Sequence, residues 1–147
     1  MDIFQRLIED HEKQRGLLGG LSETSGDTEE RRRLFAALKQ ELEAHANAEE
    51  QVFYAALLAE PDGQEKARHS IVEHEEMNDL IAALEGIDMA SGAWLTKFKD
   101  LRERVEHHVD EEEEEIFVRA RKLLSEKEAT DLTADFDKRK KAEEEQI

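Results

Sequence analysis

The sequence predicts an all-α fold: an up-down-up-down antiparallel four-helix bundle over residues 1–124, then a short C-terminal fifth helix and charged tail over 125–147. Three observations predict it. Apolar residues recur at helical spacing in four long segments, and nothing reads convincingly as a strand. The connections between those segments are short, which makes successive helices antiparallel. The first half is also written again in the second: an offset of 63 positions carries His11 onto His74, His45 onto His108 and Glu49 onto Glu112. The same offset carries the apolar positions Leu17, Leu18, Leu21, Phe35, Leu38 and Leu42 onto Leu80, Ile81, Leu84, Phe98, Leu101 and Val105. One helical hairpin used twice accounts for this register.

Asp2 is placed to cap a first helix on which Phe4, Leu7, Ile8, His11, Leu18 and Leu21 fall at helical spacing. Gly19-Gly20 lies inside that helix and aligns with Ala82-Ala83, which predicts close helix packing there more than a break. The polar run from Ser22 to Asp27 forms a loop, and Thr28 starts the second helix with Glu29 and Glu30 favouring its dipole. Pro61 ends it. The third helix runs from about Gln64 to Glu85, where Gly86 closes it, and the fourth follows the connection 87–92 as far as about Leu124. Ser125-Glu126-Lys127-Glu128 has the capping-box pattern and begins the fifth helix, with Leu132 and Phe136 available to dock it. From Lys138 the chain is almost entirely charged, and that tail is expected to fray.

At 147 residues the chain can bury one core of ordinary size. Its 38% hydrophobic and 40% charged composition suits long amphipathic helices, because the apolar residues are strongly periodic. The formal charge of −17 repels nucleic acid and anionic membranes and concentrates cations, so a cation is the partner to look for. No cysteine is present, which excludes disulfides, iron–sulfur clusters, thiolate zinc and cysteine nucleophiles. The first ten residues have no apolar signal core, and no apolar run approaches the roughly 20 residues that cross a bilayer. The default expectation is a soluble cytoplasmic protein. Oligomeric state leaves no trace in the sequence.

The second helix carries an inward stripe Phe35, Leu38, Leu42, His45, Glu49, and the fourth carries Phe98, Leu101, Val105, His108, Glu112 with identical steps. His and Glu therefore continue the core face of each helix. A buried carboxylate without a partner costs several kcal/mol or takes up a proton, so these stripes need a compensating charge. With His11 and His74 on the remaining helices, four imidazoles and two carboxylates can converge, and a metal site satisfies them together. If Glu49 and Glu112 each bridge two ions, positions remain for solvent, an oxo or hydroxo bridge, or an incoming small molecule. Imidazole with carboxylate suits iron, manganese, cobalt or zinc, so the element stays open on this ground.

The pattern of a lone His, HxxxE, a lone His and HxxxE resembles the hemerythrin family, in particular the bacterial HHE cation-binding domains. The flanking segments Glu9-Asp10-His11-Glu12, His45 to Tyr54, Glu73-His74-Glu75 and His108 to Phe117 match as well, over about residues 1–124. The resemblance implies a non-haem centre of two iron ions, oxo- or hydroxo-bridged, that binds oxygen, nitric oxide or peroxide. By position, His11, His45, Glu49, His74, His108 and Glu112 carry over as its ligands. Two departures separate the chain from the oxygen-carrying hemerythrins. Those have HxxxH in helix three, where His74 is here followed by Asn78, and an Asp at the position of Glu113.

Three functions fit these residues: a module that binds, senses or detoxifies O2, NO, peroxide or iron; a peroxidase-, catalase- or oxidase-like enzyme; and a metal-free or zinc-bound interaction bundle. No further cofactor fingerprint favours the enzyme. His69 and His107 map onto Arg6 and Ala44 and so break the repeat, which places them at the surface or just outside the ligands. Glu50 and Glu113 are repeat-equivalent and can either hydrogen-bond the histidines or face water. Tyr54 and Trp94 read as packing residues.

Overall fold

A computed structural model describes all residues, 1–147, and every regular element in it is helical. Helix α1 (Ile3–Ser22) begins at Asp2, whose side chain accepts from the Gln5 N–H while Gln5 bonds back to the cap. Helix α2 starts at the Thr28 cap as Glu29–Glu49, passes through a π turn (Glu50–Tyr54) and ends as Ala55–Leu58. A short 3-10 turn at Pro61–Gly63 leads into α3 (Gln64–Glu85). Gly63 is required there, because a Cβ would sit 2.5 Å from the Leu57 carbonyl oxygen. Helix α4 runs as Gly92–Glu111, a second π turn (Glu112–Ile116) and Phe117–Leu123, and α5 spans Glu126–Gln146 from the expected Ser125 capping box. None of these helices is long and apolar enough to cross a membrane.

The hairpins α1–α2 and α3–α4 pack within and against each other as the repeat predicts. At the loop end Arg31 ties two connections together. Its buried guanidinium donates to the Thr24 carbonyl at 2.6 Å and the Met89 carbonyl at 2.8 Å, and it lies over the Trp94 ring. The core forms two apolar clusters. One gathers Phe4, Phe53, Tyr54, Phe117 and Phe136, and the other Leu18, Leu38, Ile81, Trp94 and Phe98. Between them, at the same level on all four bundle helices, the buried residues turn polar: Asp10, His11, Gln14, Glu41, His45, Glu49, Glu73, His74, His108 and Glu112.

Two sequence expectations are corrected. The fifth helix is 21 residues long, and its charged end is docked. It packs along α2 and α1, where Lys140 and Glu143 are buried by pairing: Lys140 Nζ lies 2.8 Å from Glu41 and 2.9 Å from Asp10, and Glu143 accepts from Gln51 and Arg139. Charge alone predicts fraying, but complementary charges on another helix remove the reason for it. The second correction concerns Gly19 and Gly20. Helix α1 is continuous through both, but a Cβ at Gly19 would touch nothing, and one at Gly20 would meet only the Leu34 side chain at 3.6 Å. No close packing is achieved there.

Candidate metal centre

All six residues expected from the repeat come together in the polar layer, each no more than 5% exposed. The nitrogens and oxygens fall into two overlapping groups, each with its donor atoms within 4.8 Å of one another: His11, His45, Glu49, Glu112, and Glu49, His74, His108, Glu112. The glutamates belong to both groups. Glu112 Oε1 lies 2.9 Å from His11 Nε2 and its Oε2 lies 3.3 Å from His108 Nε2, while Glu49 faces His45 at 3.4 Å and His74 at 3.2 Å with its two oxygens. Each carboxylate thus spans from one pair of histidines to the other.

The outer nitrogen of every histidine is already committed. His11 Nδ1 donates to Glu113 at 2.6 Å, His45 to Asp10 at 2.7 Å, His74 to Glu50 at 2.7 Å and His108 to Glu73 at 2.7 Å. A carboxylate only accepts, so each Nδ1 carries the proton and each Nε2 is left to the interior. The repeat offset exchanges these pairs, turning His11–Glu113 into His74–Glu50 and His45–Asp10 into His108–Glu73. Glu50 and Glu113 are therefore partners of the histidines, while each side chain keeps some contact with solvent. The Asp position of the oxygen carriers holds Glu113 here, turned to His11.

The interior is short of hydrogen bonds. His11 Nε2, both Glu49 oxygens and Glu112 Oε1 are buried without an aligned partner, although His11 Nε2 and Glu112 Oε1 are only 2.9 Å apart. Buried polar atoms are rarely left so, and four in one spot, all good donors to a cation, fit metal ions held between them. Without a cation, protons do part of that work. Burial pulls His45 down, but Glu49 and Asp10 outweigh it and lift its pKa to about 10. Burial likewise opposes protonation of His108, yet Glu112 and Glu73 raise it well above the usual imidazole range, and Glu112 is held well below the carboxylate range by His108 and His11 against its own burial.

Two features go beyond the sequence reading. Each π turn begins at the HxxxE glutamate or the residue after it, with the Ala55 N–H reaching Glu50 O and the Phe117 N–H reaching Glu112 O. The wider turn lies where consecutive glutamates are used differently, Glu49 inward and Glu50 toward α3; π turns tend to occur at such sites. Tyr54 is more than packing, since its hydroxyl donates to Glu112 Oε2 and approaches Ser70 Oγ at 2.9 Å. The repeat places Phe117 opposite it, stacked on His11 with ring centroids 5.9 Å apart, so the two halves differ beside the glutamates. A tyrosine one turn beyond HxxxE was the available signal. His69 and His107 stand outside the six, half or more exposed.

Residues 2–120 match the model of the family described as hemerythrin HHE cation binding domain. Among solved structures, the chain resembles a hemerythrin HHE cation-binding domain-containing protein from Mycobacterium kansasii, a homologue of Rv2633c. The TM-score is 0.89 at 23% identity, covering 99% of this chain and 89% of that one. No curated protein matches the chain.

Proposed function

Because the chain belongs to the hemerythrin HHE cation-binding domain family, we propose that its six converging donors hold two iron ions which bind, sense or detoxify O2, NO or peroxide. The observation carrying this reading is the pair of buried glutamates, each facing a histidine of both groups. His11 and His45 would serve one ion, His74 and His108 the other, and Glu49 and Glu112 both. Bound iron supplies electrons and open coordination positions for a small oxidant. The chain's own residues do the rest. Four carboxylates orient the imidazoles, the Tyr54 hydroxyl steadies Glu112, and Phe117 with Phe136 keeps bulk water from His11 and His45. With every donor so deeply buried, a diatomic or peroxide fits the centre better than an organic substrate.

The test is reconstitution with Fe2+ under anaerobic conditions. About two ions per chain are expected in the buried centre by elemental analysis, with a visible absorption change on admitting oxygen. Protein that retains no iron after desalting would end this reading. Repeated turnover of peroxide would move it to the enzyme class.

The pH dependence follows from the histidines. His45 carries a raised pKa in the folded metal-free protein, so its contribution to stability is complete below about 6.5 and is lost as pH rises through about 10. Bound imidazoles must already be neutral, so the loaded protein has no such proton to lose. Thermal unfolding of the metal-free form is expected to move down by several degrees between pH 7 and 10, at roughly 2–4 °C per kcal/mol, while the loaded form holds. At the acid end protons compete with metal, and metal content should fall as pH drops below about 6.5. Parallel melting curves for the two forms across pH measure both effects.

A further inference from the structure

The two halves of the polar layer are finished differently. Asp10 and Glu73 are repeat-equivalent, and each holds a histidine Nδ1 at 2.7 Å. The rest of Asp10 is met by fixed cations, Arg6 at 2.7 Å and Lys140 at 2.9 Å, and α5 covers that side. Glu73 is met by imidazoles instead. Its Oε2 lies 3.5 Å from His69 Nε2 and 3.9 Å from His107 Nε2. Glu111 completes the group, with Oε1 3.0 Å from His69 and Oε2 3.1 Å from His107. The donor atoms of His69, Glu73 and Glu111 all lie within 4.8 Å of one another.

His69 and His107 have side chains 51% and 66% exposed, while that of Glu73 is 5% exposed. The group therefore opens to solvent at one end and reaches the buried layer at the other. Shallow depressions of about 350 Å³ and about 270 Å³ flank Glu111, the first lined by His107, Asp110, Glu111, Glu114 and Glu115, the second by Glu65, Lys66, His69 and Glu111. The larger is acidic apart from its histidine, which favours an approaching cation.

We propose that His69, His107, Glu111 and the outer oxygen of Glu73 form a third cation site, at the surface, through which divalent transition-metal ions load the buried centre. Two imidazoles with carboxylates suit Fe2+, Mn2+, Co2+ or Zn2+. Glu73 links the sites, since one oxygen faces the surface histidines and the other holds His108, whose Nε2 faces the centre. The matching position in the other half is plugged by Arg6 and Lys140, so loading is one-sided. The loading role rests on the two-ion reading of the centre; the surface site does not.

Co2+ serves as the probe, with bound ions counted by equilibrium dialysis and elemental analysis and uptake followed by stopped-flow absorbance. The wild type should bind about three ions per chain, two of them in the two-metal site. The double variant His69→Ala/His107→Ala, altered only at exposed side chains, should bind one fewer and load several-fold more slowly. A double variant that binds as many ions overturns the site, and one that loads as fast overturns its role. Glu112→Ala separates the two readings. One ion surviving in it, and disappearing when the two histidines are also replaced, supports the surface site whatever becomes of the centre. Loss of all binding in Glu112→Ala overturns the surface site.

Discussion

Glu112→Ala is expected to empty the buried centre of its roughly two ions per chain and leave only the surface ion, and Glu49→Ala to do the same. The reason is geometric. Each carboxylate faces histidines of both groups, Glu112 at 2.9 and 3.3 Å and Glu49 at 3.4 and 3.2 Å, so losing one removes a donor from both ions together. Removing one histidine takes a donor from one ion only, so His45→Ala should keep part of its metal. Loss of a residue that merely orients a ligand costs about 10–100-fold in affinity, and loss of a shared ligand should exceed that. The metal-free fold suffers too. Tyr54 loses its charged acceptor but keeps Ser70 Oγ at 2.9 Å, so the cost on this account stays near the low end of about 1–3 kcal/mol. Elemental analysis after desalting, with circular dichroism to verify the helices, measures both consequences. A Glu112→Ala protein holding both ions at wild-type affinity would show that the carboxylates do not bridge.

Lys140→Met should destabilise the protein by an amount near the low end of the about 3–5 kcal/mol that follows breaking a buried ion pair. Methionine keeps an apolar stem of similar length and removes only the charge. Lys140 Nζ serves two buried carboxylates, Asp10 and Glu41, across the α5 interface. The low end applies because Asp10 keeps Arg6 and Glu41 keeps Gln14, at 2.7 and 3.1 Å. Asp10 holds His45, so the loss should reach the centre as a modest fall in metal affinity, below the tenfold to hundredfold expected for replacing Asp10 itself. Urea unfolding of the metal-free proteins gives the first quantity and competition with a chelator the second. Equal stability of variant and wild type would mean that the end of α5 contributes nothing and that its charges behave as the sequence alone suggests.

Much of the molecule is legible in the order of its residues. Period and repeat, read together, specify four helices, their caps at Asp2, Thr28 and Ser125, the termination near Pro61 and the six inward donors. The phase of the core stripe also singles out Glu112 from an acidic run, and that residue is the fully buried one. These features depend on residue type and spacing along a single helix, which a sequence displays directly.

Contacts between helices are another matter. The exchange of Glu50 and Glu113 across to His74 and His11, the Tyr54 hydroxyl on Glu112, and the burial of Lys140 against Asp10 and Glu41 each join residues far apart in the chain. The π turns are harder to read, because the successive steps of four that accompany them, Glu49, Phe53, Leu57 and Glu112, Ile116, Ala120, also occur in ordinary helices. Sequence alone determined which groups line the interior and that its carboxylates call for a compensating charge. Only the tertiary structure decided which carboxylate orients which histidine, that α5 closes one side and that His69, His107 and Glu111 meet Glu73 on the other. A single helix sets the direction of a side chain, but its partner is chosen by how separate helices are brought together.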